Sequence, residues 1–119
     1  MRHVRPADVP KADVVGPLFV GEVTRQDIVG ADNSKDFNLS IVNFDHGAKN
    51  KFHRHSNDQI LIVTSGIGIV ATEQEEVEVS QGDIIHVVGG EKHWHGAKSG
   101  EDFSHITVTR AGSTTEILE

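Results

Sequence analysis

Apolar and polar positions alternate in short runs along almost the whole chain. The segments LFVGEVTRQDIV (18–29), FNLSIVNF (37–44), QILIVTSG (59–66), GIGIVAT (66–72), VEVS (77–80), DIIHVV (83–88), HWHGA (93–97) and FSHITVT (103–109) are rich in β-branched residues and carry a period of two. Between them lies turn chemistry: ADNSKD at 31–36, HGAKN at 46–50, SND at 56–58, SG at 65–66, SQGD at 80–83, GGEK at 89–92, KSGED at 98–102 and AGS at 111–113. No long window repeats its apolar residues every 3.6 positions, and 12 glycines would harm helices more than a turn-rich sheet. Many short strands at even spacing predict an all-β sandwich or barrel. Residues 1–16, punctuated by Pro6 and Pro10 with Pro17 just beyond, read as an extended arm suited to packing on a partner subunit. No repeat, linker or low-complexity segment divides the chain, so residues 1–119 read as one domain.

Strand geometry gives the histidines a direction. Residues i and i+2 of a strand share a face, so His53 and His55 in HRH form a two-toothed comb. After the SND turn, a returning strand carries Gln59, Leu61 and Val63 on one face and brings Gln59 back beside the two histidines. His93 and His95 form a second comb with Trp94 on the opposite face, and Phe103, His105 and Thr107 a third. If those faces line one barrel interior, several imidazoles meet in one cavity, as a multi-histidine metal site requires.

Composition narrows the chemistry. There is no cysteine, which removes disulfide frameworks, zinc ribbons and thiol nucleophiles, so a metal site here rests on His, carboxylate or amide groups. Lys and Arg number 11 against 18 Asp and Glu, a net charge of −7 with no basic stretch, which disfavours nucleic acid and anionic membranes as partners. No apolar run approaches the ~20 residues of a membrane span and the first residues lack a signal-peptide core, so a cytoplasmic location is expected. Eight histidines are many for this length, and five (His53, His55, His86, His93, His95) fall within 43 positions. Lone histidines are usually surface or hydrogen-bonded core residues, the reading given to His46 and His86. Arg110, Glu73, Glu75, Glu76 and Glu78 read as solvated, and Leu61, Val63, Ile41 and Phe103 as an apolar wall for the pocket.

The spacing resembles the cupins. Their first motif runs Gly, five residues, His-x-His, three or four residues, Glu, six residues, Gly, and the chain has Gly47, AKNKF, His53-Arg54-His55, SND, Gln59, ILIVTS, Gly66. Their second runs Gly, five residues, Pro-x-Gly, two residues, His, three residues, Asn, and the chain has Gly82, DIIHV, Val88-Gly89-Gly90, EK, His93, WHG, Ala97. Gln replaces the usual Glu, and the Pro and Asn of the second motif are absent. The resemblance covers residues 35–110 and implies a double-stranded β-helix, or jelly-roll, barrel with a metal held by His53, His55, Gln59 and His93. The combination of HRHSNDQILIVTSGIG, GEKHWHGA and SHITV is similar to the cupins that accompany carboxymuconolactone decarboxylase domains and to the manganese hydroxynitrile lyases, in which Gln also takes the Glu position.

That resemblance implies one divalent transition metal, manganese first and iron, zinc or nickel after it, with His95 and His105 as proton-moving catalytic residues. It also implies a small organic substrate and a homodimer. Three neutral imidazoles and an amide leave the full divalent charge on the ion, which favours Lewis-acid lyase, decarboxylase or isomerase chemistry over oxidation. The alternatives are an iron dioxygenase of the same fold and a non-catalytic metal-containing module that senses a small metabolite.

Overall fold

The computed structural model describes all 119 residues. It contains ten strands: β1 (Ala12–Asp13), β2 (Phe19–Val29), β3 (Phe37–Asn50), β4 (His53–His55), β5 (Gln59–Ala71), β6 (Glu76–Ser80), β7 (Ile84–Val87), β8 (Trp94–Ala97), β9 (Phe103–Arg110) and β10 (Thr115–Ile117). A single 3-10 turn at Pro6–Asp8 precedes them, and no helix is long and apolar enough to cross a membrane.

Two of the expected turns, HGAKN and SG, lie inside strands. His46 and Gly47 take φ of 48° and 77°, and Gly66 takes 75°, so the chain bends there without leaving the sheet. The segment Lys98–Asp102 supplies the bonds that the bends free: Gly47 N–H donates to Glu101 O at 2.9 Å, His46 N–H to Asp102 Oδ1 at 2.9 Å, and Ile67 N–H to Asp102 O at 3.2 Å. A side chain at position 66 would collide with the Asp102 carbonyl, which is why the second bend needs glycine. Turn chemistry therefore reads here as corners of two long strands.

Those corners close the barrel. The first part of β3 pairs with β9 (Phe37↔Arg110 to Phe44↔Phe103), and β9 pairs on its other side with the first part of β5 (Gln59↔Thr109 to Gly66↔Phe103). Beyond the corners, β8 takes over between the same two strands, through Lys49↔Gly96 and Ile69↔Gly96. β2 and β1 extend one edge, while β6 and β7 pair with β5. The inward positions form one cluster of ten buried residues that includes Val42, Phe44, Leu61, Val63 and Phe103, with Phe44 and Phe103 stacked at 6.0 Å between ring centres.

The outward face carries an in-register row of Ile41, Ile106, Ile62 and Ile84. Ile41 thus points away from the cavity, opposite its neighbour Val42, and does not form part of the pocket wall. The N-terminal arm is extended as its prolines predict, and it lies on the molecule's own sheet. Gln26 Nε2 donates to Pro6 O at 2.8 Å and to Val9 O at 3.0 Å, and Ala12–Asp13 pairs with β2.

Candidate metal centre

β4 places His53 and His55 on one side of a short strand, as the comb predicts. The decisive cross-strand contact is an isolated antiparallel bridge, in which His53 N–H donates to His93 O and His93 N–H to His53 O, both at 2.9 Å. That reciprocal bond fixes two imidazoles side by side, with ring centres 4.3 Å apart; His55 lies 4.9 Å from His53 and 5.3 Å from His93. One ring nitrogen from each of the three lies within 4.8 Å of the others. Two imidazole nitrogens held at about 2.1 Å from an ion are at most about 4.2 Å apart, so sub-ångström adjustment suffices for ligation.

Hydrogen bonding decides which nitrogens face inward. His53 Nδ1 lies 2.6 Å from Lys51 O and His93 Nδ1 2.8 Å from Glu91 O. A carbonyl only accepts, so both Nδ1 atoms carry the proton and both Nε2 atoms present a lone pair. His55 Nδ1 lies 3.0 Å from Thr115 Oγ1, which leaves its Nε2 buried without a protein partner. Gln59 starts β5 beside them. Its Nε2 donates to Thr107 Oγ1 at 2.8 Å, which turns Oε1 to within 3.2 Å of His93 Nε2. Two acceptors facing each other across 3.2 Å are an arrangement that a cation drawing both lone pairs stabilises, and His55 Nε2 lies buried beside them without a protein partner. The residues present therefore fit a divalent metal: three imidazole nitrogens and one amide oxygen, each oriented by a contact to its other polar atom.

Burial keeps this donor set neutral. Desolvation is the largest cause in each case, reinforced at His53 by His93 and His55 and at His55 by His93, and it pushes both of those pKa values down to about 4; that of His93 is lowered too. His95, enclosed and facing His105, lies well below the ordinary imidazole value, and burial takes His105 to about 4. A chain whose histidines titrate near 6.5 when unfolded and near 4 when folded binds more protons unfolded throughout that window. Its stability consequently falls as pH drops from 6.5 towards 4. Thermal unfolding of chelator-treated protein at a series of pH values is expected to show a steady loss of Tm between pH 7 and 5; a flat profile would contradict the buried, neutral assignment.

His95 and His105 sit next to the triad, fully within the interior. Their rings are 4.8 Å apart, His95 stacks near-parallel to His93 at 18° and 5.7 Å, and both line the same cavity. Asn50, a residue without an obvious sequence signal, sets their polarity. Its Oδ1 accepts the His95 backbone N–H at 2.8 Å, so Nδ2 faces His95 Nε2 at 3.2 Å. An amide nitrogen only donates, so His95 Nε2 accepts and the His95 proton resides on Nδ1, from which it is donated to His105 Nε2 at 3.0 Å. The order of donation is Asn50 to His95 to His105.

The cavity has a volume of about 480 Å³, enough for a small organic molecule. Ser40, Thr107 and Thr109 line it with hydroxyls, and Val14, Leu18, Phe19 and Val42 form its apolar wall. The wall expected from Leu61, Val63 and Phe103 is deeper: these side chains are at most 2% exposed and fill the core beneath. Trp94 faces away from the ligands and carries Lys49 Nζ 4.9 Å above its ring. His46 is exposed, and His86 pairs with Asp58 at 2.8 Å on the surface, in keeping with structural or surface roles.

A β-barrel closed by two long bent strands, with a histidine cluster inside it, defines a class of small β-barrel proteins suited to holding a metal. Residues 40–109 match the cupin domain family, and the chain belongs to it. Over 68 residues it is 40% identical to the (R)-mandelonitrile lyase of Granulicella tundricola, a match covering 56% of this chain and 52% of that enzyme, so the chain spans about half the length of that relative. A cupin-like protein from Thermotoga maritima has a TM-score of 0.84 at 27% identity, covering 90% of this chain and 84% of that one. The polyketide cyclase RemF from Streptomyces resistomycificus has a TM-score of 0.84 at 20% identity, covering 100% and 87%, a likeness of fold.

Proposed function

We propose that the protein is a metal-dependent enzyme of the lyase type, cleaving a small hydroxynitrile or a chemically related carbonyl adduct in the barrel. His53, His55 and His93 hold the ion through Nε2 and Gln59 through Oε1, with manganese the expected metal. The observation that carries this reading is the convergence of donor atoms: Gln59 Oε1 and His93 Nε2 at 3.2 Å, beside the partnerless His55 Nε2. The partial likeness to a mandelonitrile lyase supports the choice of reaction. When bound, a divalent ion with only neutral ligands supplies Lewis-acid stabilisation of negative charge developing on a substrate oxygen.

The chain's own groups do the rest. Ser40, Thr107 and Thr109 offer hydrogen bonds to a polar substrate, and the apolar wall accommodates its hydrocarbon part. A substrate hydroxyl that displaces the Asn50 amide meets the His95 Nε2 lone pair, which takes the proton while Nδ1–H stays bonded to His105 Nε2. Cleavage of the carbon–carbon bond then leaves a carbonyl, and the departing cyanide takes the electron pair and recovers the proton from His95. Manganese-loaded protein given mandelonitrile under argon is expected to release benzaldehyde and cyanide in equal amounts. Turnover that requires dioxygen and consumes it would instead establish the oxidative alternative.

A further inference from the structure

Two of the three histidines are oriented by carbonyls two residues earlier in their own segments, but His55 is oriented from the far end of the chain. Its Nδ1 lies 3.0 Å from Thr115 Oγ1, a hydroxyl placed to accept a proton from it, across 60 residues of sequence. Thr115 opens β10, and β10 is the strand partner of β4 along its whole length: Thr115↔His55, Glu116↔Arg54, Ile117↔His53. The two strands form a sheet of their own, joined to the rest of the barrel at β4 through the His53–His93 bridge. Ser56 N–H donates to Thr114 O and Leu118 N–H to Phe52 O, both at 2.9 Å, and Arg54 meets Glu116 at 2.8 Å. All three residues of β10 are exposed, while Ser113 and Thr115 line the cavity.

We propose that β10 is a clasp coupled to the metal centre and that Thr115 is its positioning residue. This rests on the reading of His53, His55, His93 and Gln59 as metal ligands. An isolated two-stranded pair is marginally stable in water, so β10 belongs to the least stable part of the fold. Thr115 Oγ1 holds the proton of His55 on Nδ1 and keeps Nε2 aimed at the other ligands. Without that acceptor, the imidazole is free to rotate and to carry its proton on Nε2, where it cannot ligate. The coupling is reciprocal: an ion on His55 Nε2 fixes the ring, the ring fixes Thr115, and the clasp closes over its side of the cavity.

Thr115→Val keeps a β-branched side chain on the strand and removes only the acceptor, whereas Thr115→Ser retains it. Competition titration with manganese against a chelating dye reads affinity directly, and hydrogen exchange at the Ser56 and Leu118 amides reads the clasp. The wild-type protein is expected to bind one ion, with slower exchange at both amides in its presence. Thr115→Val should bind about 10- to 100-fold more weakly and lose the metal-dependent protection, and Thr115→Ser should restore both. Wild-type affinity in Thr115→Val, or equal damage in Thr115→Ser, would overturn the role of Thr115; failure of the wild-type protein to bind any ion would instead overturn the metal reading beneath it.

Discussion

Replacing His93 with alanine is expected to lower the affinity for a divalent ion by well over 100-fold, so that the purified variant carries almost none. Contacts that merely orient ligands contribute about 10- to 100-fold to affinity, and this substitution removes a donor atom together with the ring that faces Gln59 Oε1 and packs 4.3 Å from His53. The backbone bridge between positions 53 and 93 survives the change, because it uses main-chain N–H and C=O groups only. The fold should persist, with unchanged far-ultraviolet circular dichroism. Equilibrium dialysis against manganese or zinc checks the expectation, and a variant that still retains one ion per chain would show that His93 is not a ligand.

The second large effect concerns proton transfer. His95→Gln preserves both neighbours' hydrogen bonds, since Gln Oε1 accepts from Asn50 Nδ2 and Gln Nε2 donates to His105 Nε2, while it deletes the basic nitrogen. With a general base worth about 10²- to 10⁴-fold, kcat for hydroxynitrile cleavage should fall by that factor while metal content and KM stay close to the wild-type values. Steady-state kinetics on metal-loaded variant and wild type separate the two quantities. An equal fall in metal content would place His95 in the metal's support rather than in proton transfer.

Much of this site is legible in the sequence because strand parity is simple. HRH at 53–55 and HWH at 93–95 each place two imidazoles on one face, and Gln59 returns on the next strand with the same orientation. What parity does not encode is the reach of the chain in space. Thr115 lies 60 residues from His55, in a three-residue strand too short to carry an alternating pattern. Asn50 sits at the end of β3, in a stretch whose His46-Gly47 pair reads as a turn, so its burial is invisible until the corner is seen to continue the strand. The acceptors that set the tautomers of His53 and His93 are main-chain carbonyls of Lys51 and Glu91, and residue type says nothing about a carbonyl's direction. The apolar wall differs from the parity expectation for a related reason: Leu61, Val63 and Phe103 face inward but are covered almost completely, so residues such as Val14, Leu18, Phe19 and Val42, from β2, β3 and the loop before β2, form the apolar part of the cavity surface.

Gln59 gains its meaning from geometry that the sequence does not contain. Its amide is anchored by Thr107, two positions beyond His105 on β9, and this contact leaves the oxygen, not the nitrogen, facing the imidazoles. The site therefore presents an amide oxygen where the first cupin motif has Glu, and the charge of an ion held there would be left uncancelled by its ligands.

The central claim is that His53, His55, His93 and Gln59 together hold one divalent ion. Elemental analysis of the purified wild-type protein, followed by titration of chelator-treated protein with manganese, iron, zinc and nickel in turn, tests it most directly. The account predicts uptake of one ion per chain for at least one of these metals, with saturable binding. A folded protein that has all three histidines intact, arrives free of metal and takes up none of the four would contradict it.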